Sequence, residues 1–163
     1  MLSIYFFMNT FIKNSEFIRE IKIETGEILN LLKVKGLQKQ LKAFFEKEKE
    51  LNIALDNEED NALLSNYEAS FEDNYVFYLL LKNENLVAFA MANDEETDSL
   101  ARLYTSVNYR RLGLGSLLLN ESKKTSLRCF KDNLPALKFY EKNNFIIQSS
   151  SCFSSYTYKL VKR

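Results

Sequence analysis

Residues 108–121 read NYRRLGLGSLLLNE and hold two of the chain's four glycines, Gly113 and Gly115, directly after Arg110 and Arg111. A helix starting at that point would present N–H groups with no internal partner and the positive end of its dipole. Glycine removes the side chains that would hold an anion away from those donors, and it permits a tight turn. Two guanidinium groups add positive charge beside them. Residues 110–115 could therefore cradle a pyrophosphate. The competing reading is a strand-to-helix turn whose small residues serve packing. Two phosphate loops do not fit: G-x-x-x-x-G-K-[ST] is absent, and G-x-G-x-x-G would need glycine where Leu118 stands.

What is missing narrows the chemistry further. The chain has no histidine, which removes Ser-His-Asp triads, Cys-His pairs and histidine metal sites together. Its two cysteines, Cys129 and Cys152, are too few for a zinc cage, and no metal is expected. Cys129 lies in an apolar run and reads as a buried, reduced thiol, which suits the cytoplasm. Lys+Arg and Asp+Glu both total 22, so the net charge is zero. That balance argues against duplex DNA or an anionic membrane as a partner held by bulk electrostatics. A local basic group remains: Arg110, Arg111, Lys123, Lys124, Arg128 and Lys131.

These residues need elements to position them. With 163 residues, 46% of them apolar, the chain reads as one domain, 1–163, with 1–16 as an N-terminal extension or arm. The apolar start, MLSIYFFMNTFI, runs for about a dozen residues, too short for a bilayer span, and it lacks the flanks of a secretory signal. FIREIKIE, residues 17–24, alternates as a strand does. Thr25 is expected to cap a short helix to about Lys33, ended by Gly36. A longer helix should follow, with Leu37, Leu41, Phe44, Leu51 and Leu55 on one stripe. Residues 56–73 are acidic, and Asp94–Asp98 form a second acidic run. YVFYLLL and LVAFAMA read as a hairpin across KNEN. Residues 100–107 and 126–130 read as strands joined through a helix from Leu114 to about Lys124, a parallel crossover. Asp132 or Asn133 should cap a helix running to Lys142, with Pro135 in its first turn. Asn144 is a candidate for the left-handed conformation. FIIQSS and SYTYKLV close the chain as a hairpin.

A second segment supports the phosphate reading. NLPALKFYEKNNF, residues 133–145, closely resembles the N-x-x-A-x-x-F-Y-E-K-x-G-F signature of the GNAT superfamily of acetyl-CoA-dependent N-acetyltransferases. LYTSVNYRRLGLGSLLL resembles the same family's R-x-x-G-x-G pyrophosphate motif. The match covers roughly residues 75–160, and the first 70 residues carry no family motif.

The resemblance implies an α/β fold: a single-layer mixed, mostly antiparallel sheet of about six to seven strands, with helices on both faces and two central parallel strands splayed. It implies acetyl-CoA as donor substrate, bound through its pyrophosphate by Arg110, Arg111, Leu112, Gly113, Leu114, Gly115 and Ser116. Backbone groups near Leu103, Tyr104 and Thr105 would hold the pantetheine and thioester. Asn133 would touch the cofactor, and Tyr140 would protonate the leaving thiolate. The competing reading of Tyr140 is a surface or core tyrosine. Ser99 stands where family members often carry a carboxylate, with Asp98 and Glu96 adjacent, so the base is unassigned. Val107 replaces a common proline and Asn144 a common glycine. The 17 residues between Gly115 and Asn133 make a shorter connection than the family's usual one.

The implied activity is acetyl transfer to a primary amine by direct attack. The acceptor would be a small basic amine, or the amino group of a peptide or protein. Two alternatives stand beside it. One is a non-catalytic acyl-CoA-binding module. The other is a toxin-type enzyme acting on charged tRNA, although nucleic acid is disfavoured by the charge balance. A homodimer is left open.

Overall fold

The computed structural model describes residues 15–35, 75–93, 99–148 and 157–163. Eight strands form one sheet: β1 (Glu16–Lys22), β2 (Ile28–Lys35), β3 (Tyr75–Lys82), β4 (Asn85–Asn93), β5 (Ser99–Thr105), β6 (Ser126–Phe130), β7 (Phe145–Ile147) and β8 (Thr157–Lys162). Two helices are described, α1 (Leu114–Ser122) and α2 (Leu134–Lys142), with a single 3-10 turn at Val107–Tyr109. The spatial order is β1-β2-β3-β4-β5-β6-β8-β7, so the last strand enters between β6 and β7. All pairings are antiparallel except β5 with β6.

Residues 28–35 form a strand, not the helix expected to follow Thr25. Gly26, at φ 84°, turns the chain, its N–H donating to Ile23 O at 2.9 Å. The Ile23 N–H donates to Glu27 O at 3.0 Å and closes the β1–β2 hairpin. The Thr25 hydroxyl donates to the Glu27 carboxylate at 2.9 Å and caps no helix. The reason for the misreading is burial. β2 lies between β1 and β3, pairing Leu31 with Leu80 and Leu32 with Leu79, and Leu29, Leu31, Leu32 and Val34 are all buried. A strand covered on both faces shows no polar alternation. The expected longer helix, Gly36, both acidic runs and Cys152 lie outside the described residues.

Elsewhere the boundaries follow the local signals closely. β6 occupies 126–130, and α2 runs from an Asn133 cap to Lys142. Asn144 is left-handed at φ 67°. α1 ends at Ser122, two residues short of expectation, with Lys123 left-handed. The last hairpin is shorter than read, pairing 145–147 with 160–162.

One sheet face carries Leu31, Leu80, Ala88, Ala90, Ala92, Leu127 and Cys129, and α1 packs on it through Leu114, Leu118 and Leu119. Three alanines in alternate positions of β4 leave the low surface that lets a leucine-rich helix approach. Full burial of each leucine contributes about 1.5–3 kcal/mol. Phe139 of α2 lies against Gly115 and Tyr140 against Phe145, so both described helices share this face. The opposite face, with Leu32, Val34, Phe77, Leu79, Phe89 and Met91, is also buried. Among the described residues no helix is long and apolar enough to cross a membrane.

Candidate active site

The parallel pair β5–β6 makes only two register contacts, Ser99 with Ser126 and Leu100 with Leu127. Both strands continue beyond them, to Thr105 and Phe130, without pairing. A wedge therefore opens in the middle of the sheet. Its β5 wall can be read from the hydrogen-bond phase. Ser106 N–H donates to Val87 O at 2.8 Å, extending a register that pairs Tyr104 with Phe89 and Leu103 with Ala90. Bonded and non-bonded pairs alternate along an antiparallel ladder. The Tyr104 main chain therefore faces β4, and the Leu103 and Thr105 peptide groups face the wedge. Of the three residues expected to hold the thioester arm, Leu103 and Thr105 are so turned. The Tyr104 ring stacks on Phe89 at 5.8 Å, on the sheet face away from the two helices.

The chain leaves β5 through the 3-10 turn and reaches α1. The side chain of Arg110 is exposed, and its Nε donates to Thr105 O at 3.0 Å, which places the guanidinium at the open end of the wedge. Arg111 is exposed and left-handed at φ 65°. Leu112 is partly buried against the core and Leu114 is buried in it. Gly113 is the N-cap of α1, left-handed at φ 77°, and no side chain caps this end. The first intrahelical bond is Leu117 N–H to Gly113 O at 3.0 Å. The N–H groups of Leu114, Gly115 and Ser116 precede that bond and have no place in the helical ladder.

The two glycines have different reasons. Among the described residues a Cβ on Gly113 would meet nothing within 4 Å, so its need is the positive φ. A Cβ on Gly115 would stand 3.1 Å from the Phe139 ring, so its need is the close approach of α2. Packing thus explains one half of the G-x-G pair, and turn geometry with an open helix end explains the other. Phe139 precedes Tyr140 in the second motif, so the two sequence motifs touch directly.

Asn133 caps α2, its Oδ1 accepting from Ala136 N–H at 3.2 Å. The carbonyl side of its amide is thereby engaged, and its NH2 group is what remains for a ligand. Tyr140 is partly buried, with its ring edge-on to Phe139 at 5.2 Å and to Phe145 at 5.9 Å. Burial pushes its phenol well above the ordinary range, with the charge that Cys129 carries once ionised as the second cause. Cys129 is itself pushed up to about 11, by burial first and the Asp132 carboxylate second. Cys129 therefore carries its proton at neutral pH and is no nucleophile.

The Cys129 shift has a stability consequence. Its thiol keeps a proton up to about pH 11 in the folded chain but starts to lose it near the unshifted 9.0 when unfolded. The stabilisation is complete below pH 9 and falls as pH rises towards 11, by about 2 kcal/mol across that window. Urea melts between pH 8 and pH 11 should show this decline, and Cys129→Ala should lessen its slope.

Sequence reasoning missed Phe139 as the partner of Gly115, although it stands inside the quoted motif. It also missed Glu27 and Tyr109, which no local pattern connects. Ser99 lies in β5, and Asp98 and Glu96 lie outside the described residues. Among the described residues no cluster of potential metal ligands occurs.

Residues 73–147 match the family described as the acetyltransferase (GNAT) domain. Among solved structures, the chain is similar to the PaiA N-acetyltransferase of Thermoplasma acidophilum in complex with coenzyme A. The TM-score is 0.55 at 16% identity, over 82% of this chain and 98% of that one. It is similar to PH1933 of Pyrococcus horikoshii OT3, with a TM-score of 0.56 at 16% identity, over 83% and 98% of the two chains. It is also similar to a putative GNAT-family acetyltransferase of Desulfovibrio desulfuricans, with a TM-score of 0.52 at 14% identity, over 80% and 96%. No curated protein sequence matches the chain.

Proposed function

We propose that this chain, which has the GNAT fold and whose residues 73–147 match the acetyltransferase (GNAT) domain, is an N-acetyltransferase that moves an acetyl group from acetyl-CoA to a primary amine. The observation that carries this reading is the wedge between β5 and β6, with outward-facing peptide groups on one wall and an uncapped helix start at its mouth. An extended amide-containing arm can pair with Leu103 as a further strand would, and with the Thr105 N–H, whose own carbonyl accepts from Arg110 Nε. A diphosphate fits the amides of Leu114, Gly115 and Ser116, where Gly113 leaves open space and Arg110 and Arg111 bring charge.

Acetyl-CoA, when bound, supplies an activated acyl thioester. The chain's own residues then have three tasks. The β5 amides orient the thioester and donate to its oxygen, where negative charge grows as the amine attacks. The wedge holds donor and amine together, which removes the entropy of their encounter. Tyr140 gives its phenolic proton to the departing sulfur and is restored by the proton that the attacking amine sheds as the amide forms. No covalent enzyme intermediate is required, in keeping with a chain that lacks histidine and keeps its Cys129 thiol protonated.

Proton transfer from Tyr140 looks uphill, because burial raises a phenol whose ordinary value already exceeds that of a free thiol. Cys129 gauges the correction. A thiol close to Tyr140 is raised to about 11, so a thiolate released in the same niche would be a stronger base than in water. The two shifts run in the same direction, so one counters the other in part.

We assign the acceptor to the class of small basic amines, or the amino group of a peptide or protein. The acidic stretch 56–73 supports a cationic acceptor by charge. Titration calorimetry with CoA and acetyl-CoA is the direct test, followed by mass measurement of amines incubated with protein and acetyl-CoA. Saturable binding and acetylated amine are expected. A flat titration overturns the reading.

A further inference from the structure

Glu27 lies in the β1–β2 hairpin turn, outside the segment that matches the acetyltransferase domain, and it gathers three partners. Lys82, at the end of β3, forms an ion pair with Glu27 Oε1. The Thr25 hydroxyl donates to Oε2 at 2.9 Å. The Tyr109 hydroxyl donates to Oε1 at 3.2 Å, although the two residues are 82 positions apart. Lys82 first, then Thr25, holds the carboxyl below its ordinary range, so it is charged at neutral pH.

Tyr109 ends the 3-10 turn that delivers the chain to the glycine motif. Its N–H donates to Ser106 O at 2.9 Å, and the Arg110 N–H donates to Val107 O at 3.3 Å. Arg110 follows at once, with Nε on Thr105 O. The same hairpin grips the far end of the helix, where Arg19 of β1 forms an ion pair with Glu121 of α1. The β1–β2 hairpin therefore contacts the β5–α1 connection both before α1 begins and near its last turn.

We propose that Glu27 is a positioning residue for the coenzyme site, fixing through Tyr109 where Arg110 and the first amides of α1 stand. The inference rests on the acyltransferase reading for what that site binds. A half-exposed ion pair contributes little to stability by itself. Its role here is geometric, because diphosphate recognition by backbone amides depends on where the turn holds them.

The test compares Tyr109→Phe, Glu27→Ala and Glu27→Gln in the full chain. Tyr109→Phe keeps the ring that packs on the core and deletes only the hydroxyl. CoA affinity by calorimetry should fall about three- to tenfold in Tyr109→Phe and Glu27→Ala. Glu27→Gln, which can still accept from Tyr109, should recover part of the loss. The double variant should be no worse than the worse single one, since both remove one contact. KM for acetyl-CoA should rise while kcat and KM for the amine stay constant. In the unliganded protein, amides 107–116 should exchange hydrogen faster, while those of β3 and β4 do not change. Unchanged CoA affinity together with unchanged exchange in Tyr109→Phe and Glu27→Ala overturns the proposal. A wild-type chain that binds no CoA would sink the acyltransferase reading instead, and the exchange measurement would still decide whether Glu27 holds the turn.

Discussion

Tyr140→Phe is expected to lower kcat about a hundredfold while changing CoA affinity by less than about twofold. The substitution keeps the ring that packs edge-on against Phe139 and Phe145, so α2 and the core should be undisturbed. On the proposed mechanism it removes the proton that the departing thiolate would receive. Burial holds that proton on the phenol above the ordinary range, so the acid form is complete throughout neutral and mildly alkaline pH. The sign follows directly: a raised acid does not switch off as pH rises through 8 or 9, and any basic limb of kcat below pH 10 belongs to another group. Steady-state kinetics with calorimetry on the same variant separate the outcomes. Loss of both turnover and CoA binding would mean a packing role. Turnover kept at the wild-type level would mean that water or another residue donates the proton.

The second large effect is expected at Gly113. Gly113→Val should weaken CoA binding at least about tenfold and cost about 1–3 kcal/mol of stability. A β-branched side chain at φ 77° is strained whatever the space around it. Among the described residues no neighbour lies within 4 Å of the new Cβ. On the proposed reading the branched group would crowd the first α1 amides, where the diphosphate is expected to bind. Gly115→Ala is the contrast. Its methyl group would press on Phe139 at 3.1 Å, so the ring must give by a few tenths of an ångström, and this overpacking opposes the gain of about 1 kcal/mol that alanine brings to a helix. Phe139→Leu should relieve it. If Gly113→Val loses stability but keeps its CoA affinity, the diphosphate does not sit at this helix start.

These contrasts also mark how far the sequence could be read. The ends of α2 were legible because they are made locally: Asn133 caps through its own side chain, Pro135 suits the first turn, and Asn144 tolerates the left-handed conformation. β6 was legible between its flanking polar residues. ILNLLKVK was not, because a leucine-rich run buried on both faces carries neither helical nor strand periodicity. Only its neighbours β1 and β3 make it a strand.

The same division holds for the candidate site. Arg110, Gly113, Gly115, Asn133 and Tyr140 stand out in the sequence because their residue types and short spacings persist whatever the rest of the chain does. The sequence by itself therefore determined the groups on offer: helix-start amides beside guanidinium groups, a phenol at a set distance along a capped helix, and no histidine. The tertiary structure decided everything that depends on separation across the chain. It parted β5 from β6 after two residue pairs, turned Leu103 and Thr105 towards the wedge and Tyr104 away from it, and set Gly115 against Phe139. It also brought Glu27 to Tyr109. Such contacts are fixed by packing and strand register, and these are settled between distant segments rather than within any one of them.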